Sequence, residues 1–135
     1  MTNEEQIQQK YMQFQTLQQQ LEQISQHLEL LNQQNVDLDI SINAVQELSK
    51  TNVDNEFLAP IADGVFLKGE LKDNQKLIVN VGSDTTVEKS IPEVIKLLEE
   101  QKGELSKRMV EADAMMQEMS MQAMQLYQEV EEGVK

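Results

Sequence analysis

The sequence predicts a mainly α-helical chain with a small β insert: a long antiparallel coiled-coil hairpin whose helices are joined by two β-hairpins. Three observations predict it. Residues 4–50 lack glycine and proline and place apolar residues at heptad spacing. Residues 51–89 hold three of the five glycines and most of the β-branched clusters. Residues 90–133 return to Glu, Gln, Lys, Leu and Met with a second heptad pattern. A chain of 135 residues allows one ordinary domain, so 1–135 is read as a single unit of these three parts.

The first helix rests on its period. Ile7, Phe14, Leu21, Leu28, Asn35 and Ile42 recur every seventh residue. Leu17, Ile24, Leu31, Leu38 and Val45 follow three residues after each from Phe14 onward. Such a/d spacing keeps one seam facing a partner helix. Lys10 occupies the first d position, with Tyr11 beside it, and Asn35 is a polar break of the kind that fixes register. Thr2 and Glu5 have capping-box spacing. A helix of about 45 residues is roughly 65–70 Å long. A compact globule of this chain length has a radius of gyration of only about 14 Å. The two helices are therefore expected to project and to cover each other's seams.

The middle part reads as strands. Glu56 to Ile61 is a short apolar run, Asp63-Gly64 a hairpin-turn dipeptide, and Val65 to Leu71 the return strand. After the polar turn 72–75, Leu77 to Val81 and Thr85 to Lys89 flank Gly82-Ser83-Asp84. Period-two counting puts Val65, Leu67, Leu71, Leu77, Val79 and Val81 on one face, with Phe66 and Ile78 on the other. A sheet this small is marginal alone. Apolar residues on both faces imply a partner subunit, with Phe66 and Ile78 central to the contact and Val65, Leu67, Leu77, Val79 and Val81 in support.

The second helix carries Ile95, Lys102, Met109, Met116, Ala123 and Val130 in one row. Ile91, Leu98, Leu105, Ala112, Met119 and Leu126 form the other. Ser90 and Glu93 form a second capping box, Pro92 is tolerated in the first turn, and Gly133 marks the end. In the antiparallel pair residue 50 lies near residue 91. Met12 then falls near residue 129, and Met124 near residue 17.

The residue inventory leaves little room for catalysis. Without cysteine there is no disulfide, thiol nucleophile or thiolate metal site. No GxxxxGK[ST] loop and no GxGxxG motif occurs. The single histidine, His27, sits at a g position and reads as a solvated flank residue. Glu99-Glu100 and Glu131-Glu132 read as solvated helix faces, so no metal or cofactor is expected. A net charge of -13 argues against nucleic acid. No apolar run approaches the roughly 20 residues of a membrane span. The start MTNEEQIQQK does not read as a secretory signal. The chain is expected to be cytoplasmic and not an enzyme.

The methionines carry more information. Six of the eight lie between 109 and 124. Met109, Met116 and Met119 are seam residues, and core filling accounts for them. Met12, Met115, Met121 and Met124 lie off the seam, as do Tyr11 and Tyr127 at e positions. An exposed apolar patch marks an interaction site, and methionine adapts to many shapes. The plainer readings are surface scatter or one helical partner. Leu30, Val36, Ile40, Val94, Leu97 and Val110 are off the seam too. Those nearest the strands are expected to pack under the sheet, and Leu30 and Val110 to extend the patch.

The strand block carries a family resemblance. Pro60, Asp63-Gly64, Val65-Phe66, Leu77-Ile78-Val79, Val81-Gly82 and Val87-Glu88-Lys89 stand where the prefoldin family has its signature region. Helix, two hairpins and helix resemble the alpha type, most closely its archaeal form, over essentially the whole chain. The departures are a Gln-rich start and a Met-rich end. The resemblance implies an ATP-independent chaperone, with two alpha and four beta subunits forming a double β-barrel body from which coiled-coil arms hang. It further implies that the arm tips hold non-native proteins and pass them to a group II chaperonin. On that reading Tyr11, Met12, Met115, Met121, Met124 and Tyr127 are the client contacts. The competing reading is a structural adaptor that binds one specific partner helix.

Overall fold

The computed structural model describes residues 2–134. Helix α1 (Asn3–Lys50) is followed by strands β1 (Glu56–Ala62), β2 (Val65–Glu70), β3 (Lys76–Gly82) and β4 (Thr85–Ser90), then helix α2 (Ile91–Val134). The chain divides into two compact units. A terminal unit comprises residues 2–35 and 104–134, and a hairpin unit comprises Val36–Gly103.

The helices start where their side chains can cap them. The Glu5 N–H donates to Thr2 Oγ1 at 3.2 Å. At α2 the cap is reciprocal: the Glu93 N–H donates to Ser90 Oγ at 3.3 Å, and the Ser90 hydroxyl donates to Glu93 Oε1 at 3.0 Å. Each bond occupies a polar group that the first helical turn leaves unpaired or that would otherwise face only water.

In the terminal unit α1 and α2 lie antiparallel. Lys10 pairs with Glu129 at 3.1 Å, and the rings of Phe14 and Tyr127 are 5.8 Å apart. The core is thin and lies along the seam: Leu31, Leu105, Ala112 and Ala123 are buried. All the other seam residues in this unit are half-buried, Lys10 and Asn35 included. The Oδ1 of Asn35 is buried with no hydrogen-bond partner. Helix α2 runs one residue beyond Gly133, which was expected to end it. A Cβ at Gly133 would lie 2.9 Å from Ile7 Cδ1, so the missing side chain makes room for Ile7.

In the hairpin unit, Lys102 pairs with Asp39 across the two helices. Ile42, Ile91 and Val94 form its buried core. The strands form two separate antiparallel pairs, β1 with β2 and β3 with β4. The first pair continues through the Leu71 N–H, which donates to the Asn55 carbonyl, and the Asp54 N–H, which donates to the Leu71 carbonyl. Phe57 stands opposite Gly69, and its ring lies 2.6 Å from where a Gly69 Cβ would be. The glycine leaves the space that the aromatic fills.

Both turns are tight, and they differ. Gly64 alone has positive φ (72°) in the first, so Asp63-Gly64 does not make the type I′ turn, which needs it at both residues. Ser83 and Asp84 both have positive φ in the second (50° and 58°), as type I′ requires. Each hairpin shifts register just before its turn, at Pro60/Ala62 and at Asn80/Gly82. Proline is tolerated beside such a bulge because one residue there leaves the ladder.

Candidate functional site

The heptad leaves a defined set of apolar side chains outside the seam of the terminal unit. Tyr11, Met12, Met115, Met121, Met124 and Tyr127 are all at least half exposed, from 50% for Tyr11 to 72% for Met121. Leu30 and Val110 are exposed as well. The six do not share one face. Tyr11 and Tyr127 at e positions and Met124 at b occupy one flank of the helix pair. Met115, at g, lies on the opposite flank, and Met12 and Met121 hold outer f positions. Tyr127 is part-committed, since its ring packs against Phe14 at an angle of 44°.

Among the described residues, grooves open on the g flank. One, of about 580 Å³, is floored by the seam leucines Leu17 and Leu126 and bordered by Met12, Gln13, Gln20, Gln122 and Gln125, with Thr16 and Glu129 completing it. A smaller one, of about 310 Å³, is floored by Ile24 and Ala112 and bordered by Gln23, His27, Arg108, Glu111 and Met115. The glutamine border is absent from the sequence-derived set of site residues. A signal for it exists in the sequence: Gln6, Gln13 and Gln20 recur every seventh residue at g positions.

The hairpin unit has a second apolar surface. Val65, Phe66, Leu67, Ile78 and Val81 are exposed, and Leu77 and Val79 are half-buried. Phe57, Leu58 and Ile61 of β1 add to it. The alternation expected through Val81 breaks there, because Val81 falls inside the register shift between Asn80 and Gly82. Of the off-seam residues near the strands, Val94 is buried and Leu97 half-buried. Val36 and Ile40 stay exposed.

Among the described residues no group of His, Asp and Glu could hold a metal ion. Among the described residues no helix is long and apolar enough to cross a membrane.

The pattern of the prefoldin subunit family matches residues 17–135. The chain belongs to the prefoldin family. Prefoldin subunit alpha of Pyrococcus horikoshii is 37% identical over 98 residues, which are 72% of this chain and 66% of that protein, just under two thirds of its length. The alpha subunit of Methanosphaera stadtmanae is 35% identical over 102 residues, covering 76% of this chain and 72% of its own. That of Methanococcus aeolicus is 28% identical over 131 residues, covering 97% and 89%. The fold is similar to the cryo-EM structure of filamentous PFD from Methanocaldococcus jannaschii. The TM-score is 0.75 at 17% identity, over 85% of this chain and 95% of that one. The two helices and two hairpins are therefore the prefoldin fold, and the relatives that this chain resembles are subunits of the alpha type.

Proposed function

We propose that this prefoldin subunit is part of an ATP-independent holdase. Tyr11, Met12, Met115, Met121, Met124 and Tyr127 contact non-native polypeptides. The strand residues Val65, Phe66, Leu67, Leu77, Ile78, Val79 and Val81 join it to beta-type subunits in a hexamer of two alpha and four beta chains. The cytoplasmic assembly then delivers its client to a group II chaperonin.

One observation carries this reading. The seam of the terminal unit is filled by its own residues, yet six large apolar side chains beside it remain at least half exposed. Burying apolar area contributes roughly 25 cal/mol per Å². A few methionines per subunit therefore bind weakly, and several subunits on one client add through effective concentration. Weak contacts of this kind release without nucleotide, for which the sequence has no phosphate loop. The net charge of -13 keeps such a surface dispersed.

The test replaces Met12, Met115, Met121 and Met124 by Gln in the full chain assembled with a beta-type subunit. Suppression of aggregation of several unrelated denatured proteins is expected to fall, with helicity and native mass unchanged. Undiminished suppression would overturn the assignment of these residues. An adaptor for one folded partner would protect none of those clients, in either variant.

A further inference from the structure

The larger groove of the terminal unit differs from the rest of the surface in charge. The chain carries 35 charged side chains (11 basic, 24 acidic), yet only Glu129 among the groove residues is ionisable, and Lys10 pairs with it at 3.1 Å. The other polar groups are carboxamides and one hydroxyl. The Thr16 hydroxyl is spent on the Met12 carbonyl at 3.0 Å, and the Gln125 amide leans on Glu129 at 3.5 Å. The side chains of Gln13, Gln20 and Gln122 have no hydrogen-bond partner among the described residues.

A carboxamide offers two donors and an acceptor without net charge. That matches a peptide group, which presents one donor and one acceptor and is itself neutral. Charged walls would favour clients of one sign and would lose hydration when covered. A neutral border around an apolar floor therefore complements unpaired main chain next to an aliphatic side chain.

We propose that this groove takes a short extended segment of a non-native chain. Gln13, Gln20 and Gln122 bond its backbone, and Leu17 and Leu126 receive one aliphatic side chain. The proposal rests on the holdase reading and adds a substrate class: extended backbone whose N–H and C=O groups are free. A folded helix, with its backbone bonds made internally, is a poor occupant however apolar its surface.

The probe is the blocked peptide acetyl-Ala-Ser-Leu-Ser-Ala-amide, added to the full chain labelled with nitrogen-15. Side-chain amide signals of Gln13, Gln20 and Gln122 are expected to move. The analogue N-methylated at Leu and the next Ser, of whose N–H groups an extended chain turns one toward the groove, is expected to bind about fivefold more weakly, as loss of one backbone hydrogen bond implies. Gln20→Leu with Gln122→Leu should abolish that discrimination while keeping affinity for the leucine. Equal binding of both peptides, or unmoved glutamine signals at saturation, would overturn the proposal. Aggregation suppression measured on the same sample separates the two readings. Suppression without glutamine shifts sinks the groove alone, and glutamine shifts without suppression sink the holdase while the groove stands as a peptide site.

Discussion

Lys10 Nζ lies 3.1 Å from Glu129 Oε2, which joins a d position of α1 to a g position of α2. The side chains are 41% and 36% exposed, so water and salt screen the pair. An exposed pair of this kind contributes well under about 1 kcal/mol, whereas a leucine at d would bury apolar area in the seam. Lys10→Leu is expected to stabilise the terminal unit by about 1 kcal/mol. Urea unfolding followed by helicity checks it. The wild type should lose a little stability between low and high salt, and the variant should not.

Asn35 poses the opposite case. Its Oδ1 is buried with no partner, and a buried acceptor left unpaired costs about 1–3 kcal/mol. Asn35→Ile removes that cost and fills an a position. It is expected to raise stability by about 1–2 kcal/mol, read as a higher urea midpoint with unchanged slope. What the asparagine supplies instead is register, because a slipped pairing moves it elsewhere in the seam. The variant should therefore cross-link less selectively than wild type between cysteines introduced at Gln20 and Gln122, which border the same groove.

Burial separates structural from surface apolar residues along the same helix pair. Leu31 is 2% exposed and Met121 is 72% exposed. Leu31→Ala is expected to cost about 2–5 kcal/mol, through lost transfer energy and the cavity left behind. Met121→Ala should change stability by less than about 0.5 kcal/mol. Thermal melts of the two variants distinguish them, and similar losses would mean that Met121 is held in a packed contact.

The heptad was legible because it encodes one geometric fact, which side of a helix meets its partner. Every residue placed on the seam is buried or half-buried, even the misfit Lys10, Asn35 and Lys102. The hairpins were legible from Asp63-Gly64 and Gly82-Ser83-Asp84 for a similar reason, since only certain residues accept the required φ. Three features were not legible. The bulges at Pro60 and Asn80 depend on how two strands accommodate a turn. Phe57 over Gly69 depends on cross-strand register. The glutamine groove depends on side chains about 100 positions apart in sequence, brought to one flank only when both helices are docked. Period along one helix identifies what leaves the seam, and the facing helix decides what it meets.

The second hairpin concentrates its backbone demands at one glycine. Gly82 has φ of 119°, outside the left-handed well that Ser83 and Asp84 occupy at 50° and 58°. Nothing lies near its missing Cβ, so a substitution there meets backbone strain and no clash. The Gly82 N–H also donates to Asn80 Oδ1 at 2.9 Å, which holds the bulge. Gly82→Ala is expected to cost about 1–3 kcal/mol of local stability in the β3–β4 pair. Asn80→Ala should cost about 1 kcal/mol through the lost bond. At Gly64, whose φ of 72° lies close to the left-handed well, Asn should be accepted with little loss. Amide hydrogen exchange at Val79 and Val87 reads the second hairpin directly. Faster exchange in Gly82→Ala with unchanged exchange in α1 is the expected pattern. Unchanged exchange at both valines would mean that the turn relaxes to another geometry without opening the ladder.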